Sequence, residues 1–166
     1  PYPTLFRTRN PNGLIDYEPH SPIDGIIMTN QIANGQTIIE NLDQELRLNT
    51  MITFDNGDQW QNLQLRSNQQ QQQQQLNLHS IIRKSTNINH VERKYRSSFI
   101  PSVIMGVGNL GEKLENYADG DTWISTSNGI DWHTVLDGPQ LFQFGNQGTL
   151  IVAVPDSSKD SLVIKY

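Results

Sequence analysis

Two stretches decide the fold of this chain: NTMITFDNGDQWQNL (49–63) and DTWISTSNGIDWHTV (121–135). In each stretch a strand pattern ends in a hydroxyl residue, an Asn-Gly pair follows, and a tryptophan comes three residues after the glycine. An Asn-Gly pair between two strand patterns is the strongest short-range signal for a β-hairpin. The repeat therefore predicts two similar hairpins.

Each turn residue has a local reason for its identity. Glycine takes the positive φ that a tight turn demands, and asparagine tolerates it. Aspartate and hydroxyl side chains accept hydrogen bonds from nearby backbone amides, so the turn satisfies its own backbone. A tryptophan at the base of each hairpin supplies an apolar plate that locks the turn onto the sheet. The predicted structural residues are Thr53, Asp55, Asn56, Gly57 and Trp60, and Ser125, Ser127, Asn128, Gly129 and Trp132.

The same strand pattern continues along the chain. Short runs rich in Ile, Val, Leu and Thr lie between Gly, Asn, Asp and Pro clusters, which is typical of an all-β sandwich, barrel or propeller. The best helix candidate, EKLENY (112–117), is too short to support itself. The ten runs are GIIMTNQI (25–32), LRLNTMITF (46–54), WQNLQL (60–65), LNLHSII (76–82), SVIMGVG (102–108), TWIST (122–126), WHTVL (132–136), LFQF (141–144), TLIVAV (149–154) and SLVIKY (161–166).

Composition excludes several classes of function. The 166 residues carry a formal net charge of -5, whereas a nucleic-acid-binding domain usually shows a basic face. No run approaches the roughly 18 apolar residues of a membrane span, and PYPTLFRTRN (1–10) lacks the pattern of a signal peptide. Because there is no cysteine, disulfides and thiolate chemistry are excluded. We predict no nucleic-acid partner and no membrane contact by this segment.

Two polar stretches are predicted to lie outside the packed core. Residues 66–75 end in seven consecutive glutamines and cannot bury enough apolar surface to offset the entropy of ordering them, so they are interpreted as a disordered insertion. The basic stretch 83–96 is predicted to be a solvated loop.

Catalytic and metal-binding patterns are weak. GVGNLG (106–111) fits the G-x-G-x-x-G of a dinucleotide-binding turn, yet 118–137 is predicted as two short strands rather than a crossover helix and a parallel strand. Asp55 and Asp58 lack the spacing of a calcium loop. Histidines with no metal-ligand spacing are His20, His79, His90 and His133. We predict no catalytic residue, no cofactor and no metal.

The two turns carry a family resemblance. Ser/Thr-x-Asp-x-Gly-x-x-Trp is the Asp-box, or BNR repeat, of β-propellers. TFDNGDQW (53–60) matches it fully, and STSNGIDW (125–132) departs only at Ser127. Further strings resemble consecutive blades in the luminal propeller of the sortilin family, which includes the fungal-type vacuolar protein sorting receptors. They are IDGIIMTNQ (23–31), LNLHS (76–80), MGVGNLGEKL (105–114) and LFQFGNQGTLIVAVPD (141–156).

The resemblance implies an all-β partial propeller of roughly two to three four-stranded antiparallel blades. It divides the chain into the end of a preceding blade (1–22), a blade (23–65), the Gln-rich insertion (66–75), an expanded blade (76–138) and the start of the next blade (139–166). So few blades cannot close a propeller, which implies a fragment of marginal stability when isolated. The family commonly has a cysteine just before LNLHS, where this chain has Gln75.

The resemblance also implies a function. Family members are single-pass Golgi and endosomal membrane receptors whose luminal domain binds soluble vacuolar hydrolase precursors or other protein cargo. It implies a binding module and not an enzyme, without cofactor, and with ligand-contacting residues unknown. The alternatives are an NAD-binding enzyme using GVGNLG (106–111), a sialidase-like hydrolase, since sialidases share the Asp-box, and a non-functional diverged remnant.

Overall fold

Antiparallel strands are the main secondary structure of the fold. The computed structural model describes residues 17–19, 23–41, 43–65, 74–79, 96–97 and 101–156. In this part of the chain the strands form separate sheets with no closed barrel, a partial β-propeller, which confirms the predicted fold class. The strands are β1 (Tyr17–Pro19), β2 (Ile27–Ile32), β3 (Leu48–Thr53), β4 (Gln61–Asn62), β5 (Leu76–Leu78), β6 (Arg96–Ser97), β7 (Ile104–Leu110), β8 (Asp121–Ser125), β9 (His133–Leu136), β10 (Gln140–Gly145) and β11 (Leu150–Pro155).

The first sheet is a four-stranded antiparallel meander in the order β1-β2-β3-β4. Its register pairs Ile27 with Thr53 and Met51 with Asn62. Leu48, Thr50 and Ile52 alternate along β3 and are buried. This period of two is what a strand with one covered face requires.

The second sheet contains five strands in four positions, because β5 and β6 both pair with the same side of β7. β5 pairs with Gly108–Leu110 at one end of β7, and β6 pairs with Ile104 and Met105 at the other. The backbone N–H of His79 donates to the Val107 carbonyl at 2.7 Å, which continues the β5 ladder toward β6. β5 and β6 are therefore two halves of one edge strand. Residues 80–95, which join them, lie outside the described residues.

The third sheet is the hairpin β10-β11. Nine of the ten predicted strand runs contain a strand, and the tenth, SLVIKY (161–166), lies outside the described residues. The predicted disordered insertion also lies outside them over residues 66–73. Its last two residues are part of the fold, because the Leu65 N–H donates to the Gln74 carbonyl at 2.9 Å and Gln75 forms a β-bridge with Gln64.

EKLENY (112–117), the best helix candidate, forms no α-helix, as its short length predicts, and the structure has only a 3-10 turn at Tyr117–Asp119. The Asn109 side chain donates to the Lys113 carbonyl and accepts from the Glu115 N–H, both at 2.9 Å, and these bonds compete with helix formation. An unanticipated short helix, α1 (Gly35–Glu40), follows β2.

The core lies between the first two sheets. Trp132, at the base of the second predicted hairpin, is one of its buried members. The first sheet and the chain beside it contribute Ile26, Met28, Ile52 and Leu63, and the second contributes Leu76, Leu78, Ile104, Trp123 and Trp132. Burial of this apolar surface is the main favourable term that holds the two sheets together.

A buried polar cluster also joins these two sheets. The Thr50 hydroxyl donates to the Asn30 side-chain oxygen at 2.7 Å and accepts from the Leu78 N–H at 2.7 Å. The Asn77 side chain accepts from the Thr50 N–H at 3.2 Å and donates to the Gly111 carbonyl at 2.9 Å. Because buried polar groups must be paired, this cluster fixes how β3 and β5 meet.

Candidate functional site

The two repeated segments form equivalent turns between antiparallel strands, one joining β3 to β4 and the other β8 to β9. Thr53 and Ser125 end β3 and β8, and both are fully buried. The Thr53 hydroxyl accepts from the Gly57 N–H at 3.0 Å, and the Ser125 hydroxyl accepts from the Gly129 N–H at 2.9 Å. Each strand-ending hydroxyl therefore closes its own turn.

The backbone of the two turns is nearly the same. Asn56 and Asn128 both have φ of 61°, and the glycines after them have φ of 99° and 84°. Successive positive φ values are what a tight hairpin turn requires, and they explain the Asn-Gly pair in both places.

An acceptor at the third turn position completes each loop. The Asp55 carboxylate accepts from the Gln59 N–H at 2.9 Å, and the Ser127 hydroxyl accepts from the Asp131 N–H at 2.7 Å. The bonds from the Gln59 N–H and from the Thr53 hydroxyl lower the pKa of Asp55 below its usual value. Ser127 makes the equivalent bond without a charge, so both turns have a hydrogen-bond acceptor at this position.

The two tryptophans differ in burial. Trp132 is 4% exposed, and its indole N–H donates to the Gly129 carbonyl at 3.0 Å. Trp60 is half-buried, and its ring covers Gly57, where an added Cβ would lie 3.5 Å from the ring. Of these two tryptophans only Trp132 belongs to the core between the sheets, and it directly precedes β9 of the second sheet.

Each turn is anchored by a residue that the sequence analysis missed. The Asn56 N–H donates to the Gly25 carbonyl at 3.1 Å, and the Asn128 N–H donates to the Ser102 carbonyl at 3.0 Å. Gly25 and Ser102 have φ of 95° and 94°. The signal was present in the sequence, since IDGIIM (23–28) and IPSVIM (100–105) share an isoleucine at the start and Ile-Met at the end.

The second turn packs against the first sheet and forms one wall of a groove. A Cβ added at Gly129 would lie 2.7 Å from the Ile52 Cδ1. Beside this contact lies a groove of about 410 Å³. Its lining residues, none of them charged, are Ile52, Phe54, Gln61, Asn62, Leu63, Gln64, Leu65, Gly129 and Ile130.

Residues 106–110 of the glycine motif lie in β7 and Gly111 directly follows it, so the motif is not a nucleotide-binding turn. Gly108 pairs with Leu78 on one side and Asp121 on the other, and an added Cβ would collide with the Asn77 carbonyl. Residues 112–116 form no helix. The geometry that would place a pyrophosphate at a helix N-terminus is thus not present here.

The other candidate ligands do not converge. Asp121 accepts from the Gly138 N–H at 2.9 Å, and His79 packs edge-on against Tyr117 with ring centroids 5.3 Å apart. His133 is exposed on β9, while His20 and His90 lie outside the described residues. Within the described ranges no three His, Asp or Glu side chains are placed to hold a metal ion. Nor does that part of the chain contain a helix long and apolar enough to cross a membrane.

Comparison with known proteins shows which family this chain resembles. The Sortilin-Vps10 family model, described as "Sortilin, neurotensin receptor 3", matches residues 6–166. A protein of Verticillium alfalfae named vacuolar protein sorting/targeting protein 10 is 34% identical over 154 residues, which are 93% of this chain and 10% of that protein. The protein of the same name from Arthroderma benhamiae is 36% identical over 149 residues, 90% of this chain and 9% of that protein. The chain thus spans about a tenth of the length of the curated relatives it matches. With this match over nearly its whole length, the chain belongs to the Sortilin-Vps10 family.

Proposed function

We propose that this chain is part of the luminal, cargo-binding propeller of a single-pass sorting receptor of the Golgi and endosomes. The receptor carries soluble hydrolase precursors, or other protein cargo, from the late Golgi to the vacuole or endosome. The observation that carries the proposal is the 34–36% identity, spread over at least 90% of the chain, to proteins named for vacuolar sorting and targeting.

We propose that the sheets are consecutive blades. The first blade comprises β1 to β4 and the second β5 to β9, while β10 and β11 begin a third. The expected division placed 1–22 in a preceding blade, but Tyr17–Pro19 pairs with β2, which supports a first blade that includes β1. The two turns are proposed to be Asp-boxes with a structural role. Hydrogen bonds within each turn and its anchor support that role.

We propose binding rather than catalysis as the activity. The glycines that resemble a nucleotide-binding motif are used for strand packing, and the repeated turn residues use their polar atoms on the backbone. A titration with NAD, followed by tryptophan fluorescence, tests the enzyme alternative. Saturable tight binding would favour that alternative.

The sorting function can be tested in cells that lack the full-length protein. These cells should secrete a soluble vacuolar hydrolase precursor, and the full-length protein should restore its retention. Ile52→Asp places a charge in the core between the sheets and should fail to restore it, whereas Thr134→Ala, on the exposed face of β9, should succeed. Normal retention in cells without the protein would overturn the proposal.

A further inference from the structure

The groove beside the second turn opens onto the edge of a strand. Five consecutive residues, 61–65, line it. Side chains along a strand alternate between its two faces, so a groove above one face would be lined by every second residue. An unbroken run of five is the pattern expected of a groove that lies along the backbone edge of this segment, named here the 61–65 edge.

The hydrogen bonds of this edge show which of its backbone groups point inward. The Leu63 N–H donates to the Thr50 carbonyl at 3.0 Å, and the Leu63 carbonyl accepts from the Leu76 N–H at 2.9 Å. The Leu65 N–H donates to the Gln74 carbonyl at 2.9 Å. Because successive residues of a strand direct their backbone groups to opposite edges, the N–H and C=O groups of Asn62 and Gln64 point outward.

The outward edge has no strand beside it in the described part of the chain. β4 ends the first sheet, with β3 as its neighbour, and both Asn62 and Gln64 are exposed. Such an edge offers two N–H groups and two carbonyls to an added strand.

The residues that line the groove favour an uncharged, apolar side chain as its occupant. Phe54 and Ile130, each 39% exposed, face it together with the half-buried Leu65. The remaining polar side chains are amides, and no lining residue is charged. A charged side chain inserted here would lose hydration without gaining a partner, whereas an apolar one would gain contacts. A volume of about 410 Å³ lies within the range typical of ligand sites.

We propose that the 61–65 edge binds an extended, uncharged segment of a protein partner, which adds as a strand to β4 and places an apolar side chain between Phe54 and Ile130. The partner's backbone bonds to Asn62 and Gln64. Only the identification of the partner as receptor cargo rests on the proposed function. The binding of an extended segment is argued from the edge, its outward backbone groups and its uncharged walls alone.

The test uses the full-length protein and the labelled probe acetyl-Gln-Val-Thr-Leu-Thr-Val-Gln-amide, with binding followed by fluorescence anisotropy. Asn62→Pro removes one outward N–H and keeps the inward bonds of Leu63. It should weaken binding by about tenfold or more, because the probe loses one backbone hydrogen bond and the contacts beside it. Asn62→Ala keeps that N–H and should bind within about twofold of the unsubstituted protein. Ile130→Asp should abolish binding, and a probe with Asp in place of the central Leu should not bind.

The outcomes separate this inference from the proposed function. No probe binding, or equal loss in Asn62→Pro and Asn62→Ala, overturns strand addition at this edge. Self-association that Asn62→Pro abolishes assigns the edge to a second copy and overturns the proposal. Probe binding that depends on the Asn62 N–H supports the edge even if hydrolase precursors are not sorted. Sorting that survives Asn62→Pro leaves the receptor function standing and overturns cargo as the occupant.

Discussion

The Ser127 hydroxyl accepts a hydrogen bond from the Asp131 N–H at 2.7 Å, where the other turn uses a carboxylate for the equivalent bond. The Ser127 hydroxyl oxygen takes the place of the Asp55 carboxylate, because either group can accept from the backbone N–H of the loop. The sequence repeat is thus conserved as geometry even where the residue has changed.

Ser127→Ala should destabilise the protein by about 1 kcal/mol, because it leaves the Asp131 N–H without its acceptor. Ser127→Asp is the matched control and should unfold within about 0.5 kcal/mol of the unsubstituted protein, since surface changes that keep a bond cost little. Denaturant unfolding of the purified protein measures both. Equal destabilisation by alanine and aspartate would show that the hydroxyl itself, and not an acceptor, is required.

Asp55→Asn should reduce the acid sensitivity of the fold. The pKa of Asp55 is lowered from its usual 3.8 by the Gln59 N–H and then by the Thr53 hydroxyl. The folded protein therefore binds the proton less readily than the unfolded chain, and the stability gained is full above pH 3.8 and is lost as the pH falls through the lowered pKa. Asparagine keeps an acceptor oxygen that does not titrate.

Unfolding midpoints between about pH 2 and 5 provide the measurement, since that window brackets an ordinary aspartate. The slope of stability against pH should be shallower for Asp55→Asn than for the unsubstituted protein. Asp58→Asn removes the same charge from the same turn and serves as the control. An unchanged slope in Asp55→Asn contradicts the prediction.

Ser102→Gly should stabilise the protein by about 1 kcal/mol, because a non-glycine residue at positive φ carries a strain of this order that glycine does not. Ser102 has φ of 94°, and its counterpart Gly25 has φ of 95°. The reciprocal change, Gly25→Ser, should destabilise, since its Cβ would also lie 3.1 Å from the Phe54 carbonyl oxygen. Thermal unfolding compares the two, and destabilisation by Ser102→Gly would be the contrary result.

The fold was predictable from local pattern because strands here are short and bounded by strong turn residues. Asn56 and Gly57 favour a hairpin through their tolerance of positive φ, and the same holds for Asn128 and Gly129. The helix α1 was not predicted, because in a segment of six residues intrinsic propensity does not decide whether a helix forms. Asn34 decides instead, since its side chain donates to the Glu45 carbonyl at 2.7 Å and accepts from the Arg47 N–H at 2.9 Å, closing the loop that holds α1.

The site was less predictable, because its parts meet only through packing between sheets. The turn residues follow from the repeat, but the contact of Gly129 with Ile52 joins positions 77 apart in sequence. The groove depends on that contact. Gly108 shows the same limit. Its motif suggested a ligand, but a glycine is needed there because the Asn77 backbone of another strand approaches closely.

Thr50→Val should destabilise the protein by about 2 kcal/mol, since valine has the same shape but lacks the buried hydroxyl that accepts from the Leu78 N–H and donates to the Asn30 side-chain oxygen. Thr134→Val on exposed β9 makes the same change where no buried bond is lost, and should have little effect. Chemical denaturation measures both. Equal effects of the two substitutions would rule out a special contribution from the cluster between the sheets.

Gly129→Ala should destabilise more than Gly57→Ala, although both place alanine at positive φ and each costs about 1–2 kcal/mol for that reason alone. The extra cost at Gly129 comes from overlap with the Ile52 Cδ1, which an added Cβ would approach to 2.7 Å, whereas at Gly57 the nearest atom is 3.5 Å away in the Trp60 ring. Ile52→Val deletes that methyl group, so Gly129→Ala should cost less in the Ile52→Val background than alone. A double-mutant cycle from denaturant unfolding gives the coupling directly. Additive effects of Gly129→Ala and Ile52→Val would show that the second turn does not press on the first sheet at this point.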